Sequence, residues 1–235
     1  MGRSDRDRRI AEMFDRVAPR YRLLNAVLSL GSDRVWRHRA ARSARLAPRE
    51  RALDVGTGTG DLAFDILALS DQTSAVVGVD ISPMMVAAAA ETARRGVNPE
   101  RFAAVIANGE ALPFPSGSFD RIVAGFTVRN FGDLAAGLRE MRRVLRAGGR
   151  AVILELSTPP NPVVRAVYRF YFHRLSPRIA ALLGGDADAY RYLPRSVASF
   201  PGAEALAGAM RDAGFARVRY ERLSFGIAAI HVGEA

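Results

Sequence analysis

The chain lacks two residue types altogether: cysteine is absent from its 235 residues, and all 34 basic residues are arginine, none lysine. Without thiols there is no disulfide, no Cys-ligated zinc, no iron–sulfur cluster and no thiol nucleophile. A reducing cytoplasm is the expected compartment. Histidine is scarce too. His38, His173 and His231 are scattered, form no ligand set with nearby acids, and read as structural, so no metal is expected. No apolar run reaches the roughly 18 residues that span a bilayer. The first ten residues, MGRSDRDRRI, are too polar for a secretory signal. Repeats and low-complexity tracts are missing. What remains is 49% hydrophobic and 25% charged, the balance of a globular protein. The length suits one α/β domain with a helical extension.

The net charge of +10 is unevenly spread. Residues 1–51 hold fourteen arginines against six acids, an excess of eight positive charges. An anionic membrane surface or nucleic acid would answer such a face. Wholesale replacement of Lys by Arg explains the missing lysine but not the clustering.

Residues 8–46 carry helical periodicity: Ile10, Met13, Phe14 and Val17 recur on one face, Pro19 interrupts, and Tyr21 to Leu30 resumes. Gly31 closes that segment, and Ser32 is placed to cap the next. From Arg51 the texture changes to short apolar strands alternating with helices. Strands are expected at 52–55, 75–80, 102–107, 121–126 and 151–155, and Gly148-Gly149 should end the helix that starts at Leu134. Such alternation builds βαβ units and a parallel sheet. After an aromatic and Arg-rich stretch, a helix near 203–213 and strands at 216–223 and 227–232 follow. Their short link, Ser224-Phe225-Gly226, permits only an antiparallel hairpin. This ending belongs to class I methyltransferases rather than to dinucleotide dehydrogenases. The expected divisions of this single domain are 1–50, a helical extension; 51–158, the cofactor half; 159–202, a helical lid; and 203–235, the last helix and hairpin.

The turn Asp54-Val55-Gly56-Thr57-Gly58-Thr59-Gly60-Asp61 follows the first strand. Its glycines allow a tight turn and close approach of a ligand to the backbone. The third glycine comes one residue earlier than in the dinucleotide pattern. Carboxylates at Asp54 and Asp61 would repel a pyrophosphate. They suit a ligand with an ammonium and a sulfonium, S-adenosylmethionine; a mere tight turn is the plainer alternative. Asp80 closes the second strand and could bind ribose hydroxyls, or cap the next helix, a task for which Ser82 is better placed. Asn108, before Gly109 at the third strand end, could read an adenine edge.

With these residues in view the chain resembles the menaquinone/ubiquinone-biosynthesis C-methyltransferase family over nearly its whole length. The marks are Phe14-Asp15-Arg16-Val17-Ala18, Tyr21, Asn25, Trp36, Gly58-Thr59-Gly60-Asp61, Leu112-Pro113-Phe114-Pro115, Val128-Arg129-Asn130-Phe131, Tyr190–Pro201, and Gly226 leading to His231-Val232-Gly233. The glycine loop marks the superfamily; Arg129-Asn130 and Tyr190–Pro201 mark the family. The resemblance implies a Rossmann-like, seven-stranded, mostly parallel sheet with a C-terminal antiparallel hairpin and N-terminal helices. It implies cofactor positions at Thr59, Asp80, Asn108, Gly109 and Gly125, with only backbone contact open to Gly125; Asp54, Gly56, Gly60 and Ile81 complete the expected cofactor site. It places Tyr21, Arg129 and Asn130 near a prenylated quinol, demethylmenaquinol or a benzoquinol. The family's acid after that tyrosine is replaced by Arg22, which puts any substrate role of that carboxylate in doubt.

Methylating an aromatic carbon calls for phenolate character in the ring, and a fixed cation favours it. Arg129 is the expected stabiliser, with an ordinary ion pair to an acid such as Asp133 as the alternative reading. Asn130 would orient a hydroxyl and Tyr21 relay a proton. Residues 163–183 alternate apolar residues with Arg165, Arg169, Arg174 and Arg178, as in an interfacial helix, or else a core or dimer helix. Peripheral contact with the inner face of the cell membrane and a homodimer are both compatible with this. Rival readings are another small-molecule methyltransferase, an RNA methyltransferase and a non-catalytic scaffold. The second is disfavoured by the absence of an RNA-binding module, so no nucleic-acid partner is expected.

Overall fold

The computed structural model describes residues 4–96, 99–182 and 186–235. Expectations for Leu183 and for the side chains of His173, Tyr190 and Arg191 lie outside the described residues. The chain opens with helices α1 (Asp5–Val17), α2 (Tyr21–Leu28) and α3 (Ser32–Ala44). Ser4 starts α1 through a capping box: its hydroxyl accepts from Asp7 N, and the Asp7 carboxylate accepts from Ser4 N. Ser32 is not the cap of α3. It lies inside the helix after Gly31, which takes a left-handed φ of 76°. The capping bond comes instead from Ser29, whose hydroxyl accepts from Asp33 N at 3.3 Å.

The sheet then forms in alternation: β1 (Arg51–Val55), α4 (Asp61–Leu69), β2 (Ala75–Asp80), α5 (Pro83–Gly96), β3 (Phe102–Ile106), β4 (Phe119–Gly125), α6 (Leu134–Val144) and β5 (Leu145–Leu156). Gly148 and Gly149 do not end α6. They fall within β5, where residues 146–149 leave the ladder between the Phe119–Leu145 and Arg121–Arg150 pairs. Helices α7 (Pro162–Phe170), α8 (Ser176–Leu182), α9 (Ala187–Ser199) and α10 (Ala203–Asp212) follow, then β6 (Ala216–Leu223) and β7 (Ala228–Glu234). A π-helical turn at Tyr171–Leu175 joins α7 to α8. The strand order is β3-β2-β1-β4-β5-β7-β6. β7 runs antiparallel to both neighbours, and the other pairs are parallel.

Both faces of the sheet are covered, which is why its central strands are apolar throughout. Ala52, Val123, Val152 and Leu154 pack against Trp36, Ala40 and Ala44 of α3 and Leu62 and Ile66 of α4. Leu53, Ile122 and Ile153 face Leu138 and Met141 of α6 and Leu206 and Met210 of α10. Chain order reverses between β1 and β4, so the loops after those strands diverge and open a crevice at their carboxyl ends.

The opposite end of the sheet is pinned by a buried arginine. Arg101 donates to the carbonyls of Leu67, Ser74 and Asp71 and to the side chains of Ser70 and Gln72. Arg101→Met would leave these acceptors without their donor. We expect a loss of about 2–4 kcal/mol in urea unfolding, with cofactor affinity unchanged because the crevice lies at the other end.

Candidate active site

The glycine loop occupies the crevice between β1 and α4. Gly56, Gly58 and Gly60 all take positive φ, at 70°, 54° and 84°. A Cβ on Gly56 would stand 2.1 Å from Thr127 Cγ2, so this position requires glycine on two counts. Gly56 N and Thr57 N donate to Val79 O, and Gly58 N donates to Asp80 Oδ2 at 2.8 Å. Asp80 therefore braces the loop as well as facing the groove. Its other oxygen accepts from Ser82 N, while the cap of α5 is Ser82, whose hydroxyl accepts from Met85 N.

Asp54 is 1% exposed. Thr57 Oγ1 donates to Asp54 Oδ2 at 2.8 Å, whereas Oδ1 is buried without a partner. Burial pushes the Asp54 carboxyl up to about 7; the Thr57 bond opposes the rise and the charge of Asp80 adds to it. Asp80 is also raised, mainly by burial, against bonds from Ser82 N and Gly58 N. Two acids held above their ordinary range in one groove call for protons or a cationic ligand. Thr59 is buried and its hydroxyl donates to Asp61. Asp61 also pairs with Arg22 at 2.8 Å, and Arg22 donates a further bond to Thr59 O. Arg22 thus turns toward the glycine loop.

The far side of the groove is built by Ile81, Asn108 and Gly109. A Cβ on Gly109 would meet Phe131 and Val55 at 2.9 Å. The Asn108 amide is engaged at both ends: Oδ1 accepts from Glu110 N, and Nδ2 donates to Asp7 of α1 at 3.3 Å. Gly125 lines the inner part of the groove with Asp54, Gly56 and Thr59.

Beyond Tyr21, Asn25 and Phe126 the groove abuts a second cavity, of about 380 Å³. Its wall includes Leu28, Trp36, Val164, Val167, Tyr168 and Ile227, and Arg129 stands in it. Arg129 is paired, but not with Asp133. Its Nη1 donates to Glu155 Oε1 at 2.7 Å and to Phe126 O, and its backbone N donates to Glu155 Oε2. Asp133 instead caps α6 through Ala136 N. Burial works against the Arg129 charge, but Glu155 beside it holds the guanidinium above its ordinary pKa. Asn130 lines the groove and accepts from Tyr192 Oη at 3.1 Å. The Tyr21 hydroxyl is raised by burial, with its bond to Asn25 and the charge of Arg129 opposing. It keeps its proton at neutral pH. Two residues of this junction escaped the sequence reading. Glu155 gave no signal beyond its place at a strand end. Phe126, at a left-handed φ of 58°, gave none at all.

The unpartnered Asp54 oxygen, the second raised acid and the side-chain-free cradle at Gly56 and Gly109 fit a ligand that carries cationic groups, such as S-adenosylmethionine with its sulfonium and ammonium. Sheet order and site together define a class I S-adenosylmethionine-dependent methyltransferase. A solved methyltransferase of this type from Thermotoga maritima has the same fold, with a TM-score of 0.67 at 20% identity, covering 95% of this chain and 98% of that one. The chain belongs to the ubiE/COQ5 methyltransferase family, whose model matches residues 3–235. It is 45% identical to a demethylmenaquinone methyltransferase of Deinococcus radiodurans, over 99% of this chain and 95% of that one. It is equally identical to a ubiquinone/menaquinone biosynthesis C-methyltransferase UbiE of Geotalea uraniireducens, over 98% of each.

Asp54 should make the binding of a cationic ligand in this groove pH-dependent. Its carboxyl titrates near 7 folded and from 3.8 unfolded, so the ligand-free fold binds the extra proton in between. That contribution to stability is complete below about pH 4 and is lost as pH rises through about 7. A bound cation keeps Asp54 ionised. Binding at about pH 6 should therefore release a proton, and affinity should climb with pH and level off above about 7. Calorimetry in two buffers of different ionisation heat reads the release; Asp54→Asn should abolish it and flatten the pH slope.

Proposed function

We propose that the chain methylates a ring carbon of a prenylated quinol, with demethylmenaquinol the preferred substrate and menaquinol the product. The observation that carries this is the apolar cavity joined to the cofactor groove, with a buried guanidinium at the junction. The Deinococcus radiodurans relative bears the name of that reaction. A benzoquinol of the ubiquinone pathway is the second reading, because the Geotalea relative is named for both quinones.

Bound S-adenosylmethionine supplies an electrophilic methyl group on its sulfonium. The protein's part is to make the ring carbon nucleophilic and to hold it. Arg129 stabilises the oxygen that gives up its proton, a permanent cation already oriented by Glu155 and so needing no rearrangement. Asn130, itself fixed by Tyr192, orients a ring hydroxyl. Tyr21, which keeps its proton, relays rather than removes one. After the methyl is taken, the ring carbon loses its hydrogen as a proton and aromaticity returns.

The cavity mouth supports a peripheral membrane association. Val163, Val167 and Phe170 of α7 are 60–70% exposed at helical spacing, and Leu30 at the cavity rim is 83% exposed. Half-buried Arg165 and exposed Arg169 lie on the same helix. Among the described residues no helix is long and apolar enough to cross a membrane.

Labelled methyl transfer to short-tailed demethylmenaquinol and to its benzoquinol counterpart, each with reductant, tests the substrate. Transfer to the naphthoquinol is expected; transfer to neither would refute the reading. Arg129→Ala would strand Glu155 in the interior, so the cleaner variant is Arg129→Gln with Glu155→Gln. Turnover should fall about a hundredfold to a thousandfold with cofactor affinity kept; an equal loss of both would remove Arg129 from its role. The protein should also float with anionic vesicles, and Val163→Asp with Val167→Asp should leave it in the soluble fraction.

A further inference from the structure

Two buried polar atoms in the wall of the apolar cavity have no hydrogen-bond partner: the Tyr168 hydroxyl and Arg129 Nε. Their neighbours in the same wall are satisfied. Tyr171 Oη donates to Leu28 O at 2.9 Å, and Trp36 Nε1 donates to Ser224 Oγ at 3.0 Å. Buried tyrosine hydroxyls nearly always find a partner, so an orphan facing a cavity points to a ligand. Tyr168 is 9% exposed, and its ring packs on Phe172 with centroids 4.5 Å apart, so the hydroxyl is held in one place.

We infer that Tyr168 is a substrate-binding residue whose hydroxyl donates to an oxygen of a hydroxylated aromatic ring held in the cavity beside Arg129. The wall chooses the rest of the ligand: Leu28, Trp36, Val164 and Ile227 offer apolar surface, so the ring's other edge and its substituents are hydrocarbon. Burial pushes the Tyr168 phenol up; Arg129 pulls against this and Glu155 adds to it, so the hydroxyl stays protonated and acts as a donor. Tyr168 lies on α7, the helix whose other face carries the exposed Val163 and Phe170. One helix therefore reads the polar head of the ligand and borders the mouth through which an apolar tail leaves.

This inference rests on the quinol reading of the cavity, and two probes of similar shape separate the two. Calorimetry compares 1-naphthol with 1-methylnaphthalene on the wild-type protein and on Tyr168→Phe. The variant should bind 1-naphthol about tenfold more weakly and 1-methylnaphthalene as well as the wild type does. Cofactor affinity should be unchanged, and the Tm of the ligand-free variant should be no lower, since the hydroxyl it removes has no partner. With demethylmenaquinol, KM should rise about tenfold while kcat changes less than about threefold. Unchanged 1-naphthol affinity overturns the assignment, and so does a fall in Tm with both probes weakened alike. If the wild type methylates no quinol yet the naphthol preference depends on Tyr168, the functional reading fails and the phenol site stands. If quinols are methylated and Tyr168→Phe leaves both KM and naphthol affinity alone, the reverse holds.

Discussion

The Arg129–Glu155 pair holds the working end of this molecule together. Glu155 closes the longest strand, β5, and Arg129 sits in the turn after β4. The pair thus ties the turn after β4 to the end of β5. Both side chains are buried, at 8% and 1% exposure, and breaking such a pair from one side typically costs about 3–5 kcal/mol. Arg129 also takes the carbonyl of Phe126, a residue forced into left-handed backbone. That bond offsets the strain, and the Phe126 ring, packed on Trp36, lies between groove and cavity. Asn130 and, through it, Tyr192 of α9 are placed by the same turn. Sheet, turn and covering helix share one electrostatic anchor.

Much of this was legible in the sequence, because local chemistry decided it. Glycines at 56, 58 and 60 read as a tight turn, and all three take positive φ there. Acids at 54 and 61 read as partners for a cationic ligand; the structure leaves Asp54 buried and raised but engages Asp61 with Arg22, and the second raised acid is Asp80, which had read as a partner for ribose hydroxyls. The parallel sheet followed from alternation, and the final antiparallel pair from a link too short for a crossover. What could not be read depends on register. The partner of Arg129 lies 26 residues away and meets it only because β4 and β5 pair as they do, whereas Asp133, nearer in sequence, is drawn off to cap α6. Ser32 looked like a cap but stands one turn past the residue whose hydroxyl does that work. The glycines at 148 and 149 looked like a helix end because a break in a helix and a break in a ladder leave the same sequence trace.

The arginine-only composition has structural consequences. Arg22, Arg37, Arg121 and Arg146 each pair with an acid, and Arg101 alone binds three carbonyls and two side chains. A forked guanidinium can do this where a lysine ammonium could not. Part of the basic excess near the N-terminus is engaged in joining α2 and α3 to the rest of the domain, through Arg22–Asp61 and Arg39–Glu221.

The groove and the cavity share only a thin wall, formed by Tyr21, Asn25 and Phe126. One chamber sets acids and glycine backbone among its apolar side chains, whereas the other is lined mainly by aliphatic and aromatic side chains. A water-soluble reactant and an oil-soluble one can thus each stay in a medium of its own kind until their reacting atoms meet. In a chemist's terms the protein is a phase-transfer catalyst, with the interface between its two solvents reduced to three side chains.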